Sequence, residues 1–219
     1  EVLNRVIEKA FRGSAPAQIN VPRDYWTQVI DIELPPIVRF ERQGGGKEAI
    51  ENAAKLLSKA KFPVILSGAG VVLGGAIDEC KKLAEKLDAP VCNGYQHNDS
   101  FPGSHPLAVG PLGYNGSKAA MELISKADVV LALGTRLNPF STLPGYGIDY
   151  WPKKATIIQV DMNPDRIGLT KKVSVGICGD AKQVAQQILD KLSSDAGNSG
   201  REERKNLIHK TKSAWLQTL

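Results

Sequence analysis

From residue 47 onward the chain alternates between two hydrophobic periods. Residues 47–60 place Ile50, Ala53, Ala54, Leu57 and Ala60 on one helical stripe, and residues 75–87 do the same with Ile77, Cys80, Ala84 and Leu87. Residues 181–192 repeat the pattern with Val184, Ala185, Ile188 and Leu192, and a further helix is predicted over 117–127. Between the helices lie short apolar runs at 63–67, 90–92, 129–133, 156–160 and 173–178, which read as strands. Apolar strands alternating with helices predict a parallel sheet covered on both faces. Right-handed crossovers then make it a doubly wound, Rossmann-like α/β domain.

The ends of the chain read differently. Val2, Leu3, Val6, Ile7 and Ala10 mark one amphipathic helix in the first eleven residues, stopped at Gly13 to Pro16. Residues 17–21 read as a short strand closed by Pro22. One helix and one strand cannot bury both their apolar faces alone, so residues 1–24 are expected to end a preceding domain. Residues 25–46 read as an extended linker, with Pro35-Pro36 inside it and Gly44-Gly45-Gly46 closing it. The central α/β domain is expected over 47–193, and 194–219 as a Ser/Gly-containing linker and the start of a next domain. With Glu1 rather than Met at its head, the chain is read as continuing past both ends. Within the central domain, 93–116 is an unusually long connection rich in Gly, Pro and His, with a short strand near 107–109, and loops of this length are usually functional.

Composition narrows the function classes. The net charge of +5 invites a nucleic-acid reading, but the lysines alternate with glutamates as on solvated helix faces. Only Lys171-Lys172 and Arg204-Lys205 cluster, without aromatic interleaving, so no nucleic-acid partner is expected. No apolar run approaches the roughly 20 residues of a membrane span, and no leader is visible, so a cytoplasmic protein without a membrane partner is expected. The three cysteines, Cys80, Cys92 and Cys178, are far apart in apolar stretches and read as reduced, buried thiols. Cys92, His97 and His105 lack metal-ligand spacing, so no metal site is expected.

The candidate chemistry sits at strand ends. Gly68 and Gly70 follow the first strand, as glycines do where backbone approaches a phosphate. Leu73 replaces the third glycine of the dinucleotide fingerprint, and Asn93 stands where its ribose-binding acid belongs, so a tight packing turn is an equal alternative. Gly134, Thr135 and Arg136 follow the strand at 129–133. Arg136 would face the same crevice as Gly68 if the two strands are neighbours, or else tie down its own loop. Asp161 could accept from a ribose hydroxyl, while Asn163-Pro164 beside it fits a helix start. Gly179-Asp180 fits a cap for the helix from 181 equally well. His97 and His105 are the acid–base candidates in the long loop.

Particular strings go further. GSAPAQINVPRD, residues 13–24, resembles the end of the pyrimidine-binding domain of thiamine-diphosphate-dependent enzymes, with Ala15 departing from the usual Gly. FPVILSGAGV, ADVVLALGTRL, IIQVDMNPDRIG and VGICGDAK resemble their central domain, in matching order across nearly the whole chain. IELPPIVRFERQGGG, NGYQHNDSFPGSHPLAVGPLGYNGSKAAMELI and TRLNPFSTLPGYGIDYWP are most similar to the sulfoacetaldehyde acetyltransferase family. The resemblance implies, for the complete protein, thiamine diphosphate and Mg2+ as cofactors and conversion of sulfoacetaldehyde and phosphate to acetyl phosphate and sulfite in taurine degradation. It also implies a homodimer or homotetramer acting on a small molecule. It places no catalytic residue within these 219 residues, because the family's activating glutamate and its G-D-G…N motif match nothing here, and Gly179-Asp180-Ala181 lacks the second Gly. Some relatives hold FAD or an ADP-containing cofactor in this domain, at positions matching Gly68, Gly70, Gly134, Thr135, Arg136, Asp161, Gly179 and Asp180. Gln96, His97, Asn98 and Tyr114 would line the active site. The nearest alternative is another thiamine enzyme of the acetohydroxyacid synthase type. An NAD-dependent deacylase would need a four-cysteine zinc module that three cysteines cannot supply.

Overall fold

The computed structural model describes residues 1–13, 15–33 and 41–219. They form two compact units, Glu1–Glu41 and Arg42–Leu219. In the first, helix α1 (Val2–Gly13) carries the expected stripe yet buries none of its residues. The expected strand at 17–21 does not form: residues 16–22 have no regular structure, and a 3-10 turn, Arg23–Thr27, follows. A strand exists only by pairing, and among the described residues nothing pairs with 17–21. The part of the linker reading at 34–40 lies outside the described residues.

The second unit is built on six parallel strands: β1 (Pro63–Ser67), β2 (Val91–Asn93), β3 (Ala108–Pro111), β4 (Val129–Leu133), β5 (Thr156–Asp161) and β6 (Val175–Cys178). Their order is β3-β2-β1-β4-β5-β6. Every residue of β1 and β4 is buried, which is why both read as unbroken apolar runs, and they pair from Pro63–Val129 to Ser67–Leu133. The chain leaves β1 to one side for β2 and returns from β3 to β4 on the other, so the order reverses between β1 and β4. That reversal is the topological switch point of a doubly wound sheet.

Helices α2 (Lys47–Lys59), α4 (Ile77–Leu87) and α6 (Ala181–Lys191) pack together over β1, β5 and β6. Helix α5 (Lys118–Ile124) packs on β2 and β3 and carries α7 (Arg201–Leu216) on its outer side. The glycine turn after β1 is not open loop. It holds one short helix, α3 (Ala69–Leu73), that the sequence did not predict, and the helix expected over 75–87 follows it as one unbroken helix beginning at Ile77.

The basic pair Arg204-Lys205 is not a solvated cluster. Arg204 is 1% exposed, among the most buried large side chains of the protein. Its Nε donates to Asp88 O (3.0 Å), its Nη1 to Lys61 O (2.5 Å) and Ser199 O (2.8 Å), and its Nη2 to Leu87 O (2.9 Å) and Gly197 O (2.5 Å). The planar fork thus pins α7 to the end of α4 and the start of β1. Residues 193–200 are turns rather than free chain, with Ala196 buried beneath them.

Candidate functional site

The candidate residues, His105 excepted, lie on one edge of the sheet, at the carboxyl ends of the strands. Ligands of open α/β sheets bind at this edge. Because β1 and β4 are neighbours, Gly68, Gly70, Gly134 and Thr135 meet at the switch point. A Cβ on Gly70 would lie 2.7 Å from the Gly134 Cα, and Gly134 has φ +61°. Only glycine fits this crossing. Gly68 N–H donates to Leu133 O (3.1 Å) and Gly70 N–H to Gly134 O (2.8 Å). These two amides, the natural phosphate donors of such a turn, are therefore used to lock the β1 turn onto the β4 turn. Leu73 does not obstruct the approach of helix and strand, contrary to what its place in the fingerprint suggests: it is 67% exposed.

Around this crossing the polar groups are paired. Thr135 Oγ1 accepts from Leu137 N–H at 3.2 Å. Buried Gln159 donates through Nε2 to Thr135 O (3.1 Å) and Arg166 O (3.2 Å) and accepts from Gly168 N–H (2.9 Å), joining the turns after β4 and β5. Asn93 Nδ2 donates to Ser100 Oγ (3.0 Å) and His97 O (3.3 Å), and the Ser67 and Ser100 hydroxyls each donate to the other's carbonyl. Asn93 is thereby committed to holding the long loop. Sequence reasoning missed Ser67, Ser100 and Gln159. The one signal for Gln159 is a polar residue in the middle of an apolar strand.

Arg136 differs from its neighbours. It is exposed and makes no hydrogen bond or ion pair among the described residues. Asp161 Oδ1 accepts from Asn163 N–H (2.8 Å), closing a turn in which Asn163 caps the 3-10 helix Pro164–Arg166. Asp180 is 1% exposed; its Oδ1 accepts from Lys182 and Gln183 N–H and its Oδ2 pairs with Arg42 Nη1 at 2.9 Å. Its carboxylate is thus divided between the start of α6 and Arg42. Gly179 N–H donates to Asp161 O, and Asp180 N–H to Gln43 O, so the 42–46 segment is laid against the end of β6.

The lining candidates stand on the loops after β2 and β3. Gln96 (φ +68°) and Asn98 are exposed, His97 is half-buried and Tyr114 is exposed. Tyr114 N–H reaches Phe140 O at 3.4 Å, so the loops after β3 and β4 touch. His105 lies apart. Its Nδ1 accepts from Leu107 N–H and its Nε2 faces Glu85 Oε1 at 3.2 Å, which assigns the ring proton to Nε2 and makes His105 a tie between loop and α4.

Cys80 and Cys92 are buried and free, and burial pushes Cys80 up to about 12 and Cys92 higher still. Cys178 is only half-buried, unlike its sequence reading, because it sits at the end of the edge strand β6. Burial also raises Tyr150, to about 12, while its hydroxyl accepts from Gly113 N–H. Among the described residues no group of three His, Cys, Asp or Glu side chains could hold a metal ion, and no helix is long and apolar enough to cross a membrane. Both carboxylate oxygens of Asp180 are engaged, so among the described residues Gly179-Asp180 does not fit a metal–diphosphate group.

Residues 50–188 match the family described as "Thiamine pyrophosphate enzyme, central domain". The whole chain is 80% identical to a probable sulfoacetaldehyde acetyltransferase of Rhizobium meliloti, covering 37% of that protein. It is 77% identical, again over its whole length, to a sulfoacetaldehyde acetyltransferase of Roseovarius nubinhibens, covering 36% of it. A probable acetolactate synthase large subunit of Methanocaldococcus jannaschii is 36% identical over 88% of the chain, covering 33% of that protein. The chain thus spans about a third of the length of these relatives. Among solved structures, benzoylformate decarboxylase from Polynucleobacter necessarius superposes with a TM-score of 0.67 at 23% identity, over 82% of this chain and 33% of that one, a likeness of fold.

Proposed function

Because the chain belongs to the thiamine pyrophosphate enzymes and forms their central domain, we propose that it is the central domain of a sulfoacetaldehyde acetyltransferase. The observation that carries this reading is the identity of 80% and 77% over every residue to proteins of that name, against 36% to a probable acetolactate synthase subunit. The reaction is sulfoacetaldehyde and phosphate to acetyl phosphate and sulfite, a step in taurine degradation. Thiamine diphosphate, when bound with Mg2+, would supply carbanion stabilisation. Their ligands are assigned to the rest of the protein, since Gly179-Asp180 is occupied in capping α6 and binding Arg42. We assign this domain a scaffolding role, without catalytic residues of its own.

Gln96, His97, Asn98 and Tyr114 are proposed to line the active site from the loops after β2 and β3. The switch-point crevice is proposed to hold no nucleotide through the Gly68 and Gly70 amides, because both already donate to backbone carbonyls. Arg136 remains as a cation for an anionic group at that edge. The protein is read as a cytoplasmic homodimer or homotetramer with a small-molecule substrate and no nucleic-acid or membrane partner.

The test uses the full-length protein with thiamine diphosphate and Mg2+, offered sulfoacetaldehyde or pyruvate. The reading expects phosphate-dependent sulfite release from the first and no acetolactate from the second. Acetolactate formation without sulfite release would favour the acetohydroxyacid synthase alternative.

A further inference from the structure

Tyr146 stands where a tyrosine is unexpected. Residues 145–148 form a tight turn, bridged from Gly145 to Ile148, in which Ile148 N–H donates to Gly145 O at 2.9 Å. Its central residues, Tyr146 and Gly147, have φ +53° and +72°. Two positive central angles make this a type I′ turn, a place for Gly, Asn or Asp, because a Cβ crowds the carbonyl in left-handed backbone. Tyr146 is 55% exposed, so burial does not explain its presence. A residue kept in unfavourable backbone points to a use for its side chain.

Both the ring and the hydroxyl of Tyr146 are engaged. The ring meets that of Trp215, on α7, edge-on with centroids 5.5 Å apart at 65°. The hydroxyl donates to Gly116 O at 3.0 Å. Four residues on, the Tyr150 hydroxyl accepts from Gly113 N–H at 3.2 Å. Gly113 and Gly116 are the two ends of one turn, closed by Gly116 N–H on Gly113 O (2.9 Å). Both glycines are buried, while Tyr114 and Asn115 between them are exposed, Asn115 at φ +57°. The 146–150 segment thus holds each end of the turn through one tyrosine hydroxyl and leaves Tyr114 at its tip.

One internal hydrogen bond leaves such a turn free to rock about its ends, and a bond at each end removes that motion. The two holds differ in their support. Tyr150 is set in the core, and burial raises its hydroxyl to about 12, so it stays neutral. Tyr146 is at the surface and leans on Trp215. Lys212, three residues earlier on the same side of α7, donates to Pro106 O (2.8 Å) and His105 O (3.3 Å), just before β3. Helix α7 therefore braces the chain at both ends of β3, directly through Lys212 at the start and through Trp215 and Tyr146 at the end.

We propose that Tyr146 is a positioning residue: braced by Trp215, its hydroxyl acts with that of Tyr150 to fix the 113–116 turn and hence the place of Tyr114. The proposal rests on Tyr114 lining the active site, as proposed above, and not on which substrate the enzyme takes.

Tyr146→Phe in the full-length protein tests it, because the change deletes one exposed hydroxyl and keeps the ring on Trp215. Hydrogen exchange reads the hold without turnover: the Gly116 amide should exchange about tenfold faster. Kinetics reads its use, on whichever of sulfoacetaldehyde and pyruvate the wild-type protein consumes. There kcat/KM should fall about tenfold, carried by kcat, because a misplaced group is felt in the reacting geometry. In a Tyr114→Ala background the same substitution should change kcat/KM by less than about twofold, since nothing is left to position. Unchanged exchange at Gly116 would overturn the proposal. So would a fall of equal size with and without Tyr114, the mark of a purely structural role, or a fall under about twofold with Tyr114 present. A wild-type protein that consumes pyruvate and releases no sulfite would sink the assigned reaction and leave each of these outcomes readable.

Discussion

Arg204→Met tests how α7 is attached. The guanidinium donates five hydrogen bonds to the carbonyls of Asp88, Lys61, Ser199, Leu87 and Gly197 at 2.5–3.0 Å while only 1% exposed. Methionine fills much of the volume and supplies no donor. Each buried carbonyl left without a partner costs about 1–3 kcal/mol. The five do not add, because turn carbonyls near the surface regain water and the cost of burying the charge is refunded. If three of the five carbonyls stay dry at the lower part of that range, the expected loss is about 3–5 kcal/mol. For a unit of this size it corresponds to a fall of roughly 6–20 °C in Tm. Urea unfolding gives the free energy, and hydrogen exchange shows where it is lost, with fastest gains in 197–216. Arg204→Lys keeps the charge with three donors and should fall between. A loss under about 1 kcal/mol for Arg204→Met would refute the view that this fork holds α7.

Gly134→Ala should destabilise by about 2–4 kcal/mol, since a side chain at φ +61° would press on the Gly70 backbone; thermal unfolding checks it. Asp180→Ala removes the α6 cap and the Arg42 pair, at about 2–3 kcal/mol, with Asp180→Asn milder because its amide oxygen still caps, as read by urea midpoints. Cys80 is raised from 9.0 to about 12 by burial, so the folded state holds a proton that the unfolded state releases; its contribution is complete below pH 9 and is lost between pH 9 and 12, seen as a falling urea midpoint whose slope Cys80→Ala lessens while Cys92 and Tyr150, raised in the same direction, keep the rest.

Strands β1 and β4 were legible residue for residue because burial on both faces leaves an unbroken apolar run, and α2, α4 and α6 because each buries one stripe. The strand expected at 17–21 fails for the opposite reason: composition permits a strand, but only a partner makes one. The glycines at 68, 70 and 134 were legible as special positions. Their actual work, Gly70 N–H on Gly134 O, depends on β1 lying beside β4, which is a property of the sheet order. Arg204 read as surface charge because its burial depends on carbonyls from two distant segments, Lys61 and Leu87-Asp88, besides the adjoining turn. Tyr146 and Gly116 lie 30 residues apart and meet only when the sheet aligns their loops.

The central claim is most directly tested by following the full-length protein with sulfoacetaldehyde, inorganic phosphate, thiamine diphosphate and Mg2+, reading acetyl phosphate by 31P NMR and sulfite by thiol-exchange titration. The account predicts the two products in a one-to-one ratio, both abolished when thiamine diphosphate is withheld. Failure to form either product from a correctly folded, cofactor-loaded protein would contradict it.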